Sequence, residues 1–278
     1  MHPIFLKLGP FTLYWYAIWV VIGILAGYRL FKKRAMRIGV SEKDAFNLVL
    51  LLFWTGVFGA RVYYVTWKWN EEFSSHPLAI ILINHGGLVF FGGFLTASLA
   101  LIIWARFKQC PLLLLADALA APLALGQAFG RVGCFMGGCC YGQECHYPWA
   151  VRLDSPDEIA ALPVHPTQLY ESMGLFYIVV SLLVIEMISR YPGQVAGSYA
   201  LLYSVLRFVV EFFRGDVPHY IFGRFTTAQA ICVLLFIAAW LFSSRLAWQS
   251  TKGRVKKEAP GPGAKSQKNS DDKKQSAG

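Results

Sequence analysis

Charged residues are scarce in this sequence. Asp, Glu, Lys and Arg together make up 15% of the 278 residues, whereas roughly a quarter is usual in a soluble globular domain. Hydrophobic residues account for 56%, and the mean hydropathy is +0.46. This composition excludes a soluble globular protein. The apolar residues come in runs of about 20, which is the length that a helix needs to cross a bilayer.

The sequence also lacks an internal repeat and has few acidic residues. We find no internal repeat, whereas many secondary transporters are built from repeated halves, so the sequence disfavours a transporter. Acidic residues are also outnumbered by basic ones, 16 to 26, and the net charge is +10. The basic residues are not interleaved with aromatic residues as in a nucleic-acid-binding surface. We therefore predict no nucleic-acid partner and attribute the excess charge to topology and to attraction by anionic lipids.

The apolar runs predict an all-α integral membrane protein, because a backbone inside lipid must satisfy its own hydrogen bonds. Residues 1–249 are predicted to form one polytopic membrane domain. The first run has no basic segment before it and no small-residue cleavage site after it, so we interpret it as a span and not as a signal peptide. The seven predicted spans are Thr12–Leu30, Phe46–Val65, Gly87–Ala105, Leu112–Phe129, Gly174–Ser189, Ala196–Phe212 and Thr226–Ala247.

The distribution of Lys and Arg predicts the orientation, because cytoplasmic segments are enriched in both. An N-terminus outside the cytoplasm puts most of the 26 basic residues on the inner side, together with the C-terminus. Residues 250–278 consist mainly of Lys, Gly, Pro, Ser and Asp, with almost nothing apolar to bury. That composition predicts a disordered basic cytoplasmic tail.

Ionisable residues inside the predicted spans are candidates for function, because each costs about 2.5–3.5 kcal/mol near the bilayer centre. Arg61, Asp117 and Glu186 lie in the second, fourth and fifth spans, and Arg207 and Glu211 lie in the sixth.

The sixth span is the most informative. Tyr203, Arg207, Glu211 and Arg214 follow one another at intervals that place them on one stripe of a helix. The Arg207–Glu211 pair alone would be explained by mutual neutralisation. Because Arg214 leaves the stripe with a net positive charge, we interpret it as a site for a phosphate group.

Cysteines cluster in the glycine-rich segment that follows the fourth span. Arg131 stands at the junction of span and loop, and Cys134, Cys139, Cys140 and Cys145 follow it. These cysteines are open to three readings, which are disulfide pairing, zinc binding and free thiols. We favour a disulfide clasp, because the segment is predicted to lie on the oxidising side and lacks the two-residue spacing of common zinc sites.

Several motifs occur in a characteristic order along the chain. They are Tyr14-Trp15-Tyr16; Gly86-Gly87-Leu88-Val89-Phe90-Phe91-Gly92-Gly93; Gly130-Arg131-x-Gly133-x-Phe135 with Tyr141-Gly142; His165-Pro166-x-Gln168-Leu169-Tyr170-Glu171; and Arg207-Phe208-x-x-Glu211-Phe212-Phe213-Arg214. Together they resemble the signature segments of the phosphatidylglycerol–prolipoprotein diacylglyceryl transferases. The resemblance covers essentially the whole chain up to the seventh span and excludes the tail.

The resemblance implies a multi-pass transferase of the bacterial plasma (inner) membrane. The implied reaction moves the diacylglyceryl group of phosphatidylglycerol to the lipobox cysteine of a prolipoprotein signal peptide, forming a thioether and releasing glycerol phosphate. This is the first step of lipoprotein maturation. Because the substrates bring both nucleophile and leaving group, no cofactor and no metal is expected. The implied partners are both substrates and membrane lipids. The alternatives are a polytopic lipid or small-solute transporter and a membrane redox or metal protein built on the cysteines.

The resemblance and the helix stripe together assign site residues. The predicted catalytic residues are Arg131, Arg207 and Glu211. The predicted phosphatidylglycerol-binding residues are Arg131, Arg207, Arg214, Tyr16 and Tyr203. The predicted supporting residues are Gly142, His165, Gln168, Glu171 and His85. Arginine suits the phosphate because its planar fork stays charged when desolvated.

Three positions depart from the family pattern. Many members have Asn at the position of Cys134, Glu at the position of Cys139, and a histidine proposed as important for catalysis at the position of Phe91. The sequence therefore favours no single general base among its candidates, which are Glu171, His165 and His85.

Overall fold

The structure is a computed structural model of the chain, and it describes residues 4–8, 11–74, 80, 87–153, 162–215, 220–221 and 225–258. This part of the chain contains seven α-helices, which are α1 Trp15–Arg37, α2 Glu42–Trp67, α3 Phe90–Phe107, α4 Leu112–Met136, α5 Thr167–Met187, α6 Gln194–Glu211 and α7 Thr227–Glu258. A π-helical turn, Trp69–Phe73, follows α2. Two short antiparallel hairpins precede α1 and α7; they pair β1 Ile4–Leu8 with β2 Phe11–Tyr14, and β3 Tyr220–Ile221 with β4 Phe225–Thr226.

Six helices of the described residues, α1 to α5 and α7, are long and apolar enough to cross a membrane. Their outer faces carry large exposed apolar side chains, including Phe58, Leu95 and Leu234. A soluble monomer does not expose so much apolar surface. The prediction of an all-α, multi-pass membrane protein is confirmed, apart from the two short hairpins.

The sixth predicted span, Ala196–Phe212, is present as helix α6 but is not among these six. Its polar Gln194, Arg207 and Glu211 lower its hydropathy, so this 18-residue helix has no stretch as apolar as those of the other six. The count of seven spans and the outer N-terminus therefore stay predictions.

Helix α7 continues to Glu258, past the predicted domain boundary at residue 249. The Lys and Arg residues after that boundary are good helix formers. The first residues of the predicted tail are thus helical. Residues 259–278 lie outside the described part, and their disorder stays a prediction.

Small residues allow the helices to approach one another closely, as is common between membrane helices. A Cβ added at Gly27 of α1 would lie 3.1 Å from the carbonyl oxygen of Pro122 in α4. One added at Gly92 of α3 would lie 2.4 Å from the carbonyl oxygen of Gly59 in α2. A core of Ala and Leu side chains joins α4, α5 and α6; its buried members include Ala121, Ala124, Ala128, Leu175 and Leu182.

Two of the charges predicted as functional candidates hold the helices together at one end of the bundle. The Asp117 carboxylate accepts hydrogen bonds from the backbone N–H groups of Gly193 at 2.7 Å and Ala196 at 2.8 Å, which caps the N-terminus of α6. The Glu186 carboxylate on α5 forms an ion pair with buried Arg34 on α1. Both charges are therefore satisfied within the fold.

Arg61 has a similar structural role. It donates hydrogen bonds to the carbonyl oxygens of Ile80 and Gly87, both at 3.1 Å, and lies over the rings of Tyr64 and Phe73. These contacts hold Ile80 and Gly87 against α2.

Candidate active site

Five charged side chains of alternating sign form an ion network at the end of the bundle where α4 ends and α5 begins. In order, they are Arg131, Glu171, Arg207, Glu211 and Arg214. The Arg131 Nη2 atom lies 3.1 Å from Oε1 of Glu171, and Oε2 of Glu171 lies 3.5 Å from Nη1 of Arg207. The Arg207 Nη2 atom lies 2.7 Å from Oε2 of Glu211, which is 4.0 Å from Nε of Arg214. Both carboxylates are buried, at 2% and 3% exposure.

Three helices position these side chains. Arg131 lies near the end of α4, Glu171 lies in the second turn of α5, and Arg207 and Glu211 are one turn apart in α6. The Ala and Leu core brings the three helices together. The sequence predicted the Arg207–Glu211 pair from its spacing, but it did not predict that Glu171 bridges two arginines on different helices.

Strand β4, directly before α7, contributes Thr226, which was not among the residues predicted for the site. The Thr226 hydroxyl donates a hydrogen bond to Oε1 of Glu211 at 2.9 Å, and the Thr226 backbone N–H donates to Oε1 of buried Gln229 at 2.9 Å. The contact joins the end of α6 to residues 15 positions further along the chain, which no local pattern reveals.

Among the described residues the ion network has an excess of positive charge, because three arginines face two carboxylates. The Arg207 Nη1 atom is buried, and it has no hydrogen-bond acceptor among the described residues. A buried cation without a full set of partners is costly. An anion at this position would supply both the missing charge and the missing acceptor. The geometry thus suits a singly charged phosphodiester.

Two tyrosines predicted to contact the phosphate lie beside the ion network. Tyr203 precedes Arg207 by one turn of α6, is within electrostatic range of both Arg207 and Arg131, and stacks on Tyr199 with ring centroids 5.9 Å apart. Tyr16, at the start of α1, packs so closely on Gly133 that a Cβ there would lie 3.2 Å from its ring.

The remaining predicted residues build the loop that covers this end. The His165 Nδ1 atom lies 3.1 Å from the Tyr170 hydroxyl, and its ring contacts Phe213. None of its contacts in the described residues is with the ion network. Gln168 donates a hydrogen bond to the carbonyl oxygen of Cys139 at 2.7 Å. His85 lies outside the described residues.

Gly142 joins this loop to the end of α6. Its backbone N–H donates to the carbonyl oxygen of His165 at 3.0 Å, and it pairs in a short β-bridge with Arg214. The next residue, Gln143, donates its N–H to the carbonyl oxygen of Phe213 at 2.8 Å. The loop therefore holds Arg214 by its backbone.

We expect Gly142→Ala to destabilise the protein by about 1–3 kcal/mol, the usual cost of overpacking. An alanine Cβ would lie 2.5 Å from the Cβ of His165 and 2.6–2.7 Å from the carbonyl oxygens of His165 and Phe213. Thermal unfolding in detergent measures the change. Gly130→Ala is the matched control, because a Cβ there has no atom within 4 Å and Ala favours a helix. Equal stability of the two variants would contradict this packing.

Three cysteines form a thiol cluster beside the ion network. The Sγ atoms of Cys134, Cys139 and Cys140 all lie within 4.8 Å of one another. All six cysteines of the chain are in the described part, and all are free. The predicted disulfide clasp is therefore not formed in the structure. Cys145 is buried in the loop and does not belong to the cluster.

The arginines of the ion network act on this cluster. Hydrogen bonds with Cys134 and Cys139, followed by the positive charges of Arg214 and Arg131, lower the pKa of the Cys140 thiol below its ordinary value. A hydrogen bond with Cys134 lowers the pKa of the neighbouring Cys139 thiol, but the hydrogen bond with Cys140 and burial raise it above its ordinary value, so the two thiols do not ionise together.

Fold and site together define a multi-pass membrane protein with an ion network of arginines and buried carboxylates at one end of its helix bundle. Comparison with known proteins identifies its family. The family model described as prolipoprotein diacylglyceryl transferase matches residues 3–244, and the chain belongs to that family. The resemblance noted in the motifs is thus confirmed, and the chain is classed as a transferase and not as a transporter.

Several curated relatives carry the name phosphatidylglycerol–prolipoprotein diacylglyceryl transferase. The one from Finegoldia magna is 32% identical over 243 residues, which cover 87% of this chain and 94% of the relative. The one from Clostridioides difficile is 33% identical over 220 residues, covering 79% and 85%. The one from Bacillus cytotoxicus is 34% identical over 243 residues, covering 85% and 89%.

Proposed function

We propose that this chain transfers the diacylglyceryl group of phosphatidylglycerol to the lipobox cysteine of a prolipoprotein signal peptide, in a bacterial inner membrane. The products are a thioether and glycerol phosphate. The observation that carries the assignment of the site is the ion network. Among the described residues, its three arginines face two carboxylates, and the buried Nη1 atom of the partly exposed Arg207 has no hydrogen-bond acceptor. Family membership supports the choice of substrates.

The reaction makes two demands on the protein. The acceptor thiol, whose free pKa is about 8.5, must become a thiolate to attack carbon. The phosphate must accept charge, because the C–O bond of the diacylglyceryl group breaks and its electron pair leaves with glycerol phosphate. The leaving group thus goes from one negative charge toward two.

The ion network meets the second demand. Arg131 and Arg207 would bind the phosphate oxygens and hold them more tightly as their charge grows, which lowers the barrier. Glu171 and Glu211 fix the two arginines before the substrate arrives, so that little reorganisation is needed during the reaction. Arg214 adds positive charge at the edge of the site.

The direct test is transfer of labelled diacylglycerol from phosphatidylglycerol to a synthetic lipobox peptide by the purified chain in detergent or nanodiscs. We expect the label to become attached to the peptide in a bond stable to mild base, as a thioether is. A peptide with serine in place of the lipobox cysteine is the matched control and should remain unlabelled. Absence of labelling by well-folded protein, or labelling of the serine peptide, would overturn the proposed function.

Orientation gives a separate prediction. We expect reporter fusions after Gly39 and after Lys252 to be cytoplasmic, and an insertion near Ser155, outside the described residues, to be on the other side. The reason is the excess of Lys and Arg in the segments assigned to the cytoplasm. Cysteine accessibility in intact cells and in inverted vesicles is a second measurement. A cytoplasmic signal near Ser155 would contradict the seven-span arrangement.

A further inference from the structure

The backbone around the thiol cluster is held firmly. The N–H of Cys139 donates to the carbonyl oxygen of Cys134 at 3.2 Å. The Gln168 side chain donates to the carbonyl oxygen of Cys139 at 2.7 Å, and the Thr167 hydroxyl donates to that of Cys140 at 2.9 Å. The end of α4 and the start of α5 thereby fix all three cysteines.

Cys140 has an unusual backbone conformation. Its φ is +63°, in the left-handed region, and Gly138 two residues earlier has φ +71°. This region is unfavourable for a residue with a Cβ, and such strain is concentrated at functional sites. The turn brings the adjacent Cys139 and Cys140 into one group with Cys134. If residue 140 served packing alone, glycine could adopt this conformation there without strain. A cysteine at this position therefore indicates a use for its thiol.

Two arginines of the ion network lie near the cluster. Arg131 and Arg214 are both within electrostatic range of Cys140. Three thiolates around a divalent cation carry one net negative charge, which the excess positive charge of the ion network offsets.

The first demand of the reaction, formation of a thiolate, has no free general base among the described residues at this end of the bundle, and the candidate His85 lies outside them. Glu171 and Glu211 are both engaged with arginines, and His165 is engaged with Tyr170. Each of these groups already has a partner in the structure.

We propose that Cys134, Cys139 and Cys140 bind one Zn²⁺ through their thiolates and leave the fourth coordination position for the acceptor cysteine of the prolipoprotein. Zn–S bonds of about 2.3 Å place tetrahedral sulfurs about 3.8 Å apart, within the 4.8 Å that separates these Sγ atoms at most. Three protein ligands and one open position are typical of catalytic zinc sites. The spacing along the sequence argued against zinc, but the turn at Cys140 supplies the geometry.

The role of the acceptor position depends on the proposed function. The acceptor thiol binds Zn²⁺ and releases its proton to solvent, as metal binding makes favourable near neutral pH. The bound sulfur then attacks the diacylglyceryl carbon, and the C–O bond breaks. Its electron pair leaves with glycerol phosphate, which Arg131 and Arg207 hold. The thioether is a poor ligand for zinc and dissociates, and no atom changes oxidation state.

Metal content tests the site without any activity measurement. We expect the full chain, purified in detergent under reducing conditions and supplied with Zn²⁺, to retain about one zinc per chain by mass spectrometry. Cobalt in its place should give the intense near-ultraviolet absorption of thiolate ligation. Cys134→Ser and Cys140→Gly should each lower retained zinc at least fivefold. Glycine suits the φ of residue 140, so this loss would not reflect misfolding.

The controls are Cys110→Ser and Cys232→Ser, which change cysteines outside the cluster and should keep the zinc. Retention of less than a tenth of a zinc per chain by the parent protein would overturn the proposal, as would equal loss in the control variants. A disulfide within the cluster that persists under reducing conditions would also overturn it.

Transfer activity tests the acceptor position. We expect chelation to lower transfer to the lipobox peptide at least tenfold and Zn²⁺ to restore it. Full transfer by metal-free protein would overturn the zinc proposal and leave the proposed function standing. Zinc bound at the cluster in a protein that never transfers would overturn the proposed function and the acceptor role together.

Discussion

Replacing Arg207 with lysine should lower the transfer rate at least tenfold, which corresponds to about 1.4 kcal/mol in the barrier. Arg207 extends Nη1 toward Glu171 and Nη2 toward Glu211, so each arm of its planar fork faces a carboxylate while Nη1 still lacks a hydrogen-bond acceptor among the described residues. Lysine keeps the charge but offers a single ammonium group, which cannot reach both carboxylates and a phosphate oxygen. Arg131→Lys should have a similar effect. Initial rates with phosphatidylglycerol and a lipobox peptide measure both changes.

Arg34→Lys is the matched control for these variants. Arg34 is also a buried arginine in an ion pair with a glutamate, Glu186, but it lies at the opposite end of the bundle. We expect it to transfer diacylglycerol at close to the parent rate per folded molecule. If Arg207→Lys and Arg131→Lys both transfer at the parent rate, the arginines are internal ion pairs and do not bind phosphate.

The helices and part of the site could be predicted from the sequence because their signals are local. An apolar run of sufficient length must be helical in lipid, and each of the seven predicted spans overlaps a helix. The predicted start of the first span is wrong, because Thr12 lies in strand β2 and α1 begins at Trp15. The spacing of Arg207 and Glu211 directly predicts a contact on one helix. The position of Arg131 at the end of a span could also be predicted from the sequence.

The contacts between helices could not be predicted in the same way. Glu171 lies near the start of α5 and Arg207 near the end of α6, so the two are far apart in the sequence. Glu171 can bridge Arg131 and Arg207 only because α4, α5 and α6 pack together. The same limit applied to Asp117, which was predicted as a functional candidate because an intramembrane charge is costly. The cost is offset by the backbone N–H groups that it caps, and these belong to another helix.

The cysteines show how one backbone angle changes an interpretation. Their sequence spacing favoured a disulfide clasp, since adjacent cysteines do not have the spacing of common zinc sites. The left-handed conformation of Cys140 brings two neighbouring side chains into one group with a third. A non-glycine residue with positive φ is uncommon, and nothing in the sequence around Cys140 indicates it.

Glu171→Gln should reduce kcat about a hundredfold, or about 2.7 kcal/mol, without raising KM for phosphatidylglycerol. The carboxylate fixes Arg131 with one oxygen and Arg207 with the other. Glutamine keeps the shape but loses the charge, so neither guanidinium is held in its place when the leaving group forms. The site would then have two positive charges in excess instead of one, and its attraction for the anionic lipid should not weaken. A fall in kcat at unchanged or lower KM indicates a loss of transition-state stabilisation.

Glu186→Gln separates this effect from a general loss of stability. Glu186 also pairs with a buried arginine, and removing one member of a buried pair is destabilising wherever it occurs. We therefore expect both variants to unfold at lower temperature than the parent protein, while only Glu171→Gln loses turnover at temperatures where both are folded. Two results would contradict the assignment. One is an equal loss of kcat in the two variants, which would make the effect structural. The other is a raised KM with unchanged kcat in Glu171→Gln, which would mean that Glu171 serves binding of the lipid and not the formation of charge on its phosphate.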